Sequence, residues 1–386
     1  MKKQLTRIAS WMLLATMGQA GAFAQNIRID MNQTYPEKTI SLQKVADVKY
    51  IPLETTDEVL FNGIVTNLSA EGIAGFNKKE GDILVFDGTG KAIASFNHTG
   101  QGPNEYNKIY HLDVDWKQKE VYVQDNFRQK IRIYGLDGRH LRTIDLQETM
   151  QQGDLYNFSD THLIYYAQPK SKPVTPYEPV TLLSKKDASK VTLPFTKTDD
   201  NLVKATGGPF GDMKMSAKNV NLLCKKGDEV YVNEVTADVI YRVESNHALT
   251  PVVERTPSYQ DASGQDFFLM LTGANARYYF FKRQQALLEF QGNAATDTKS
   301  TYVAYDRKEK QLLNPTFTNE DYPSQDIPMS KLLQCAGSAN RCYLQLDAFK
   351  LKEALAEGKL KGTLKSIAEK LDEEDNPVLM VVEFKK

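Results

Sequence analysis

The sequence has few of the residue types that mark common catalytic and metal-binding proteins. Its 386 residues include three cysteines, five histidines and two tryptophans. It contains no H-E-x-x-H pair, no G-x-S-x-G elbow and no phosphate-binding glycine loop. Asp113 and Asp115 have the opening spacing of a calcium loop, but the glycine and closing glutamate of that motif do not follow in register. The sequence therefore predicts no metal and no cofactor, and it identifies no catalytic residue.

An excess of either charge is also absent. The chain has 48 Lys and Arg residues against 49 Asp and Glu residues, so its net charge is −1, and these residues are spread along its length. Nucleic-acid-binding proteins concentrate basic residues on one face or stripe. The charge balance argues against nucleic acid and leaves a glycan, a peptide or an envelope protein as the expected partner.

A marked apolar run occurs at the N-terminus. Lys2, Lys3 and Arg7 precede the apolar segment 8–20, and the small-x-small triplet 22–24 follows. This pattern predicts a signal peptide over residues 1–24 and a mature chain over 25–386, directed to the periplasm or secreted. The run is too short and interrupted to be a membrane span, so no transmembrane segment is expected in the mature protein. No cysteine comes directly after the predicted cleavage site, which argues against a lipid anchor on the mature N-terminus.

The cysteines leave one pairing open. Cys335 and Cys342 flank a turn in a hairpin-like segment. In an oxidising compartment they could form a disulfide. The alternative is that both are half-buried thiols. Cys224 lies in an apolar run and is expected to be a small core residue.

Aromatic residues and short alternating segments are abundant. The 19 tyrosines and 17 phenylalanines suit pleated strands. Residues 97–141 contain a loop, three short strands and the start of a fourth, which is the size of one β-propeller blade. Phe86 and Tyr134 occupy equivalent places before glycine turns in two such units, over about 61–96 and 109–146.

Four further groups of short strands separated by turns follow these two units, so we predict an all-β, six-bladed propeller. The last unit has only three strands, and an N-terminal strand, drawn from 26–31 or 49–53, is expected to complete it and close the ring. Two regions break the pattern. Residues 347–374 have apolar residues at spacings of three and four, which predicts a helical insertion interrupted near Gly358 and Gly362. Residues 257–276 are expected to be a long connection that either packs across the end of the propeller or forms an exposed lid.

The central unit resembles an NHL-type propeller repeat. The resemblance rests on the loop 100–106, GQGPNEY, on VYVQDN and KIRIY after it, and on the turn at Asp137 and Gly138. With YIPLET at 50–55 and EDNPVL at 374–379, the chain is similar to the secreted six-bladed NHL-like or TolB-like propellers of Gram-negative gut bacteria. This resemblance implies the fold and carries over no catalytic residue.

Strand alternation places the long loops on one face of such a wheel. Loops 100–106 and 124–129, the 168–179 loop, the 257–276 connection and the helical insertion are all expected there. The five histidines are expected to be isolated surface imidazoles. The candidate ligand contacts on this face are Gln101, Glu105, Tyr106, Asp125, Asn126 and Arg128. For Glu105 and Asp125 the alternative is that they cap backbone amides within the loop.

The function predicted from these features is an extracytoplasmic binding module that recognises a glycan, peptide or protein through its long loops. A propeller enzyme, a lyase or hydrolase with a metal or His/Arg site at the central channel, is the alternative. A scaffold subunit in an envelope complex is a third possibility.

Overall fold

The chain folds into a ring of six β-sheet blades. The computed structural model describes residues 27–125, 128–146, 154–166, 177–196, 202–206, 213–216, 222–259, 261, 267–291, 294–295, 299–332 and 341–385. Asn126, Cys335 and the predicted signal peptide lie outside these residues. Before the first blade come β1 (Ile27–Asp30), β2 (Glu37–Ser41), α1 (Leu42–Val45) and β3 (Ala46–Pro52).

Blades one to three each have four antiparallel strands in chain order. Blade one contains β4 (Ile64–Leu68), β5 (Gly72–Phe76), β6 (Ile83–Asp87) and β7 (Ala92–Phe96). Blade two contains β8 (His111–Asp115), β9 (Glu120–Asp125), β10 (Lys130–Gly135) and β11 (His140–Asp145). Blade three contains β12 (Leu155–Asn157), β13 (His162–Tyr166), β14 (Val180–Ser184) and β15 (Lys190–Thr192). These strands confirm the units predicted from the sequence.

Two further strand pairs follow blade three and interrupt blade five. After blade three come β16 (Leu202–Thr206) and β17 (Met213–Ser216). Blade four contains β18 (Leu223–Lys226), β19 (Glu229–Val232), β20 (Val239–Val243) and β21 (Leu249–Thr256). Blade five begins with β22 (Phe267–Ala274) and β23 (Tyr278–Gln285), is interrupted by β24 (Leu287–Gln291) and β25 (Ala294–Ala295), and ends with β26 (Ser300–Asp306), β27 (Gln311–Thr318) and the short β28 (Asp326–Pro328).

Blade six closes the ring with a strand from the start of the chain. Its described elements are β29 (Arg341–Leu346), α2 (Ala348–Ala356), α3 (Gly362–Ala368) and β30 (Val378–Phe384). The N-terminal β3 pairs antiparallel with β30 over its whole length, from Ala46 opposite Phe384 to Pro52 opposite Val378. The predicted closure is therefore confirmed. In addition, β1 and β2 add parallel strands to the outer edges of blades four and five.

The core consists of apolar layers between neighbouring blades. Six buried clusters occupy the six blade-to-blade interfaces, including the one between blades six and one. In that last interface Tyr343 packs with Leu84 and Phe86, and its hydroxyl donates to the carbonyl of Val65 at 2.7 Å. Because each blade buries both faces, the strands have few polar positions and the ring has a continuous apolar interior.

One part of the predicted blade five is wrong. Residues 267–271 belong to the innermost strand β22 and are not a connection, while Leu287–Gln291 is not a blade strand. The continuous apolar run FFLML suits a strand buried on both faces. The strands β24 and β25 instead join β16 and β17 in a small accessory sheet, in which β16 and β24 pair in parallel.

The connections of antiparallel strands alternate between the two ends of the ring. We define the long-loop face as the end formed by connections between blades and between the second and third strands of a blade. The accessory sheet lies on this face because both of its strand pairs interrupt such connections. The helical insertion lies there too, since Leu346 pairs with Val378, and Val378 pairs with Pro52, which leads into blade one.

Candidate functional site

The predicted loop 100–106 is held together by its own residues and by Arg128. The Arg128 guanidinium donates to the carbonyls of Gly102 at 3.0 Å and Gly100 at 3.1 Å, and to Gln101 Oε1 at 2.9 Å. Glu105 accepts the Gly102 N–H at 2.6 Å. A Cβ at position 100 would come within 2.0 Å of Glu105 Oε2, so a larger residue there would displace the carboxylate that accepts the Gly102 N–H. These contacts shape the loop.

Two other predicted residues are completely buried beside this loop. Tyr106 accepts the His98 N–H at 3.0 Å and donates its hydroxyl to the Gly81 carbonyl at 2.8 Å. Asp125 accepts the Asn107 N–H at 2.8 Å and a hydrogen bond from Arg132 at 3.2 Å. The structure thus brings the five described candidates together, and both carboxylates cap backbone amides. Their contact with a ligand stays a prediction.

The long-loop face opens into a cavity of about 1150 Å³ in the central channel. Its walls come from the innermost described strands of blades one, two, three, four and six and from the first turn of α2. Lys108, Tyr110 and His111, which follow the loop 100–106 in the chain, line the cavity, whereas none of the predicted loop residues does. The residues that follow this loop are therefore better placed for a ligand than the loop itself.

Asp113 is the polar centre of the channel wall. Its carboxylate accepts Asn67 Nδ2 from blade one at 2.6 Å, the Asn157 N–H from blade three at 2.7 Å, and Lys225 Nζ from blade four at 2.7 Å. Burial alone would raise its pKa, but the Lys225 charge and these hydrogen bonds outweigh it and hold the pKa of Asp113 below its usual range. One carboxylate thus joins four blades at the axis.

The His111 ring lies on the same strand, two residues before Asp113. Burial, reinforced by the Lys225 charge and opposed by Asp113, lowers the pKa of His111 to about 4, so its imidazole is neutral at physiological pH. The Tyr156 ring meets it edge to face, with ring centroids 4.8 Å apart. Burial also raises the pKa of Tyr156 well above its ordinary value, which keeps the phenol protonated.

The histidines differ from the isolated surface imidazoles that the sequence predicts. His111 lies in the channel wall, His98 stacks on Tyr134 with ring centroids 5.0 Å apart, and the rings of His162 and His247 are 5.9 Å apart across blades three and four. In the described residues, however, no group of three or more histidine, cysteine or acidic side chains is arranged to hold a metal ion.

Asp154, just before β12, gives a pH-dependent prediction. Burial raises its pKa to about 6, although the N–H groups of Leu223 and Leu222 donate to it and partly offset this. The folded pKa lies above the ordinary value of 3.8, so the carboxyl group of Asp154 favours the folded state only while it is protonated. Its contribution to the free energy of unfolding is lost as pH rises through about 6. Asp154→Asn keeps an acceptor for both N–H groups without the charge.

We therefore expect Asp154→Asn to be more stable than the wild type at pH 8, by up to about 2 kcal/mol, and equal to it near pH 4. Urea unfolding at the two pH values measures this difference. An advantage that is the same at both pH values would contradict the assigned titration.

Cys342 is completely buried in the interface between blades five and six, and Cys224 is buried between blades four and five. The expectation for Cys224 is confirmed. Because Cys335 lies outside the described residues, its pairing with Cys342 stays a prediction.

The sequence did not identify the channel residues. His111 and Asp113 belong to the first strand of blade two, Lys108 and Tyr110 precede that strand, and Lys225 belongs to the first strand of blade four. The signal that points to them is their place at the start of a blade's innermost strand, since that strand faces the axis in a propeller. No motif joins Asp113 to Lys225, because the two are 112 residues apart in the chain.

These features define a six-bladed β-propeller with an axial cavity open to its long-loop face. Residues 26–383 match the family described as "Domain of unknown function (DUF4934)", and the chain belongs to that family. No protein with a curated description matches the sequence. None of the helices in the described part of the chain has the length and hydropathy of a membrane-spanning segment.

Two solved structures have the same fold. One, from Bacteroides fragilis, is described as a candidate exported protein; it is 15% identical, aligns with 93% of this chain and 99% of its own, and gives a TM-score of 0.62. The other, a member of the DUF4221 family from Bacteroides vulgatus, is 9% identical, aligns with 89% of this chain and 98% of its own, and gives a TM-score of 0.50. At these identities the likeness shows the fold alone.

Proposed function

We propose that this protein is an extracytoplasmic binding propeller whose ligand enters the central channel from the long-loop face. The observation that carries the proposal is the cavity of about 1150 Å³ at that face, walled by rigid inner strands and bordered by long connections. Rigid strands with long loops at one end are the usual setting of a binding site. A glycan, a peptide or a segment of an envelope protein would fit such a channel.

Export is the second part of the proposal. The charged and apolar start of the chain, with a small-x-small triplet at 22–24, has the pattern of a cleaved signal. The structurally similar B. fragilis protein is described as a candidate for export, which supports the same destination here. The NHL-like relationship and the choice between periplasm and full secretion belong to this proposal as well.

An enzyme is a second candidate because of His111 alone. A neutral imidazole beside a protonated phenol is the pairing that general acid–base chemistry uses. A test is the His111→Gln variant: an enzyme would lose turnover with affinity retained, whereas a binding protein has no turnover to lose.

Tyr110 gives the test of the binding proposal. It is 47% exposed, lines the cavity and presents an aromatic ring on which a sugar or side chain can stack. In calorimetric titrations against a panel of neutral and acidic oligosaccharides and peptides, we expect Tyr110→Ala to weaken the best binder about tenfold.

The matched control is Leu141→Ala, which truncates an exposed apolar residue on the outer strand of blade two. This variant is expected to bind as the wild type does. Equal affinities for all three proteins would place the binding surface elsewhere and overturn the channel site.

A further inference from the structure

We propose that the ligand of this channel is an acidic oligosaccharide. Its carboxylates are recognised by lysines at the opening of the cavity on the long-loop face, which we call the mouth. This inference rests on the proposed binding function. The feature that carries it is the charge of the cavity wall. Six lysines line the cavity against two carboxylates, Asp113 and Asp347. The chain as a whole carries a net charge of only −1, so the positive charge is concentrated at this site.

Both carboxylates already have a lysine partner. Asp113 pairs with Lys225 at 2.7 Å in the channel wall, and Asp347 pairs with Lys350 at 3.0 Å in the first turn of α2. Each of these two pairs is locally neutral, and neither carboxylate is paired with Lys78, Lys108 or Lys331. The positive character of the mouth must come from the remaining residues.

Three of the remaining lysines line the cavity at its long-loop end. Lys78 follows β5, Lys108 precedes β8, and Lys331 lies before blade six, so all three are at the ends of strands that open toward this face. Each is exposed, and no carboxylate of the described chain is within ion-pair distance of any of them. A bound anion is the partner that this arrangement lacks.

Asp154 is an acidic group close enough to Tyr110 for its charge to add to the effect of burial in raising the pKa of that phenol, although it does not line the cavity. It is held in place by the N–H groups of Leu222 and Leu223, which donate to its Oδ2 from 3.0 Å each, and in the described residues it forms no ion pair with Lys78, Lys108 or Lys331. The apolar walls around the mouth, including Ile64 and Ile109, reduce solvent screening and strengthen the attraction for an anion.

The aromatic residues of the cavity favour a sugar over other anions. Tyr110, Tyr156 and Tyr322 line it, and their rings offer flat apolar surfaces with hydroxyl groups at the edge. The cavity volume of about 1150 Å³ exceeds the range of about 300–1,000 Å³ typical of drug-sized ligands, so several sugar units fit. A sugar that bears a carboxylate can make both contacts, with its carboxylate at the lysines and its ring against the tyrosines.

The experiment compares two forms of one oligosaccharide. An oligogalacturonate and its carboxyl-reduced, neutral counterpart are titrated into the mature protein, residues 25–386, by calorimetry at low and high salt. We expect the acidic form to bind at least tenfold more tightly than the neutral form, and added salt to weaken only the acidic form. Alginate and chondroitin oligosaccharides extend the panel, since the sugar ring is not specified.

The variant Lys78→Gln/Lys108→Gln/Lys331→Gln is expected to lower the affinity for the acidic form about tenfold or more, with an unchanged melting temperature. Its matched control, Lys91→Gln/Lys186→Gln/Lys308→Gln, removes the same charge from three exposed turns at the opposite face and is expected to bind as the wild type does.

Equal binding of the acidic and neutral forms, unaffected by the mouth variant, would overturn the acidic class while leaving channel binding intact. Equal losses in the two triple variants would assign the effect to net charge and also overturn the mouth site. Absence of binding to the entire panel, with binding of a peptide instead, would overturn the sugar class.

Discussion

Asp113→Ala is expected to destabilise the fold by about 3–5 kcal/mol, because it removes one partner of a buried ion pair. Lys225 would keep its charge in the channel wall without the carboxylate 2.7 Å away. Asn67 Nδ2 and the backbone N–H of Asn157 would also lose their acceptor. Chemical denaturation followed by circular dichroism and tyrosine fluorescence measures the loss.

A double variant separates the ion pair from the rest of the site. Asp113→Asn/Lys225→Met removes both charges, and buried ion pairs replaced in this way usually cost less than the loss of one partner. We therefore expect the double variant to be more stable than Asp113→Ala. Asp57→Ala, at an exposed turn, is the control and should stay within about 0.5 kcal/mol of the wild type.

The acid dependence follows from the direction of the pKa shift. Burial opposes ionisation of Asp113, but Lys225 and the hydrogen bonds to the carboxylate depress the folded pKa below its ordinary value of 3.8. The stabilisation is then present above the unfolded pKa and is lost as pH falls through the lower folded pKa. The difference between wild type and Asp113→Ala should narrow in acid. A difference in the free energy of unfolding that is small and constant with pH would contradict the role of Asp113 as the carboxylate that joins four blades.

The blades could be predicted because their signals are local. Alternation within each strand and a glycine turn between the third and fourth strands recur in blades one and two, and Gly90 and Gly138 both have the positive φ that such turns require. The helical insertion was equally readable, since its apolar residues repeat every three or four positions. The helix is interrupted there as expected, since Gly358 lies between α2 and α3 and Gly362 begins α3.

Pairings between distant segments could not be predicted in the same way. The accessory sheet joins Lys204 to Leu287, and neither segment carries information about the other. The prediction of blade five is wrong for a related reason. The run at 267–271 is apolar throughout, so it lacks the two-residue alternation that identifies the other strands. Length and flanking turns were the remaining signals.

In the candidate site, too, local features could be predicted and contacts between distant segments could not. The sequence could place Glu105, Asp125 and Arg128 near one another because they occupy adjacent loops of one blade, whereas their contact with a ligand stays a prediction. Their internal hydrogen bonds depend on exact loop geometry, which residue types do not specify. The mouth lysines come from three separate connections, and only the closed ring brings them to one opening.

The second large effect is expected at the seam where the ring closes. Asn376→Ala should destabilise the fold by about 2–4 kcal/mol, because the Asn376 side chain is buried and makes three hydrogen bonds across that seam. Oδ1 accepts the Phe61 N–H at 2.7 Å, while Nδ2 donates to the carbonyls of Glu54 at 2.7 Å and Val59 at 2.8 Å. Each backbone group would lose its partner.

The position of Asn376 explains why its loss should weaken closure in particular. It lies two residues before β30, and its three partners lie in the connection from β3 to blade one. Asn376 therefore fixes the path of the chain as it leaves the strand that completes blade six. It also links the YIPLET and EDNPVL segments, which are far apart in the sequence.

Hydrogen exchange should show this local effect directly. In Asn376→Ala, the amides of β3 and β30 are expected to exchange faster than those of blades two and three, since opening begins at the seam. Asn376→Asp is expected to be no better, because a carboxylate oxygen would face the two carbonyls that now accept Nδ2. Asn104→Ala, at an exposed loop position, serves as the control. Uniformly faster exchange in all blades would mean that the ring opens as one unit and that Asn376 has no special part in its closure.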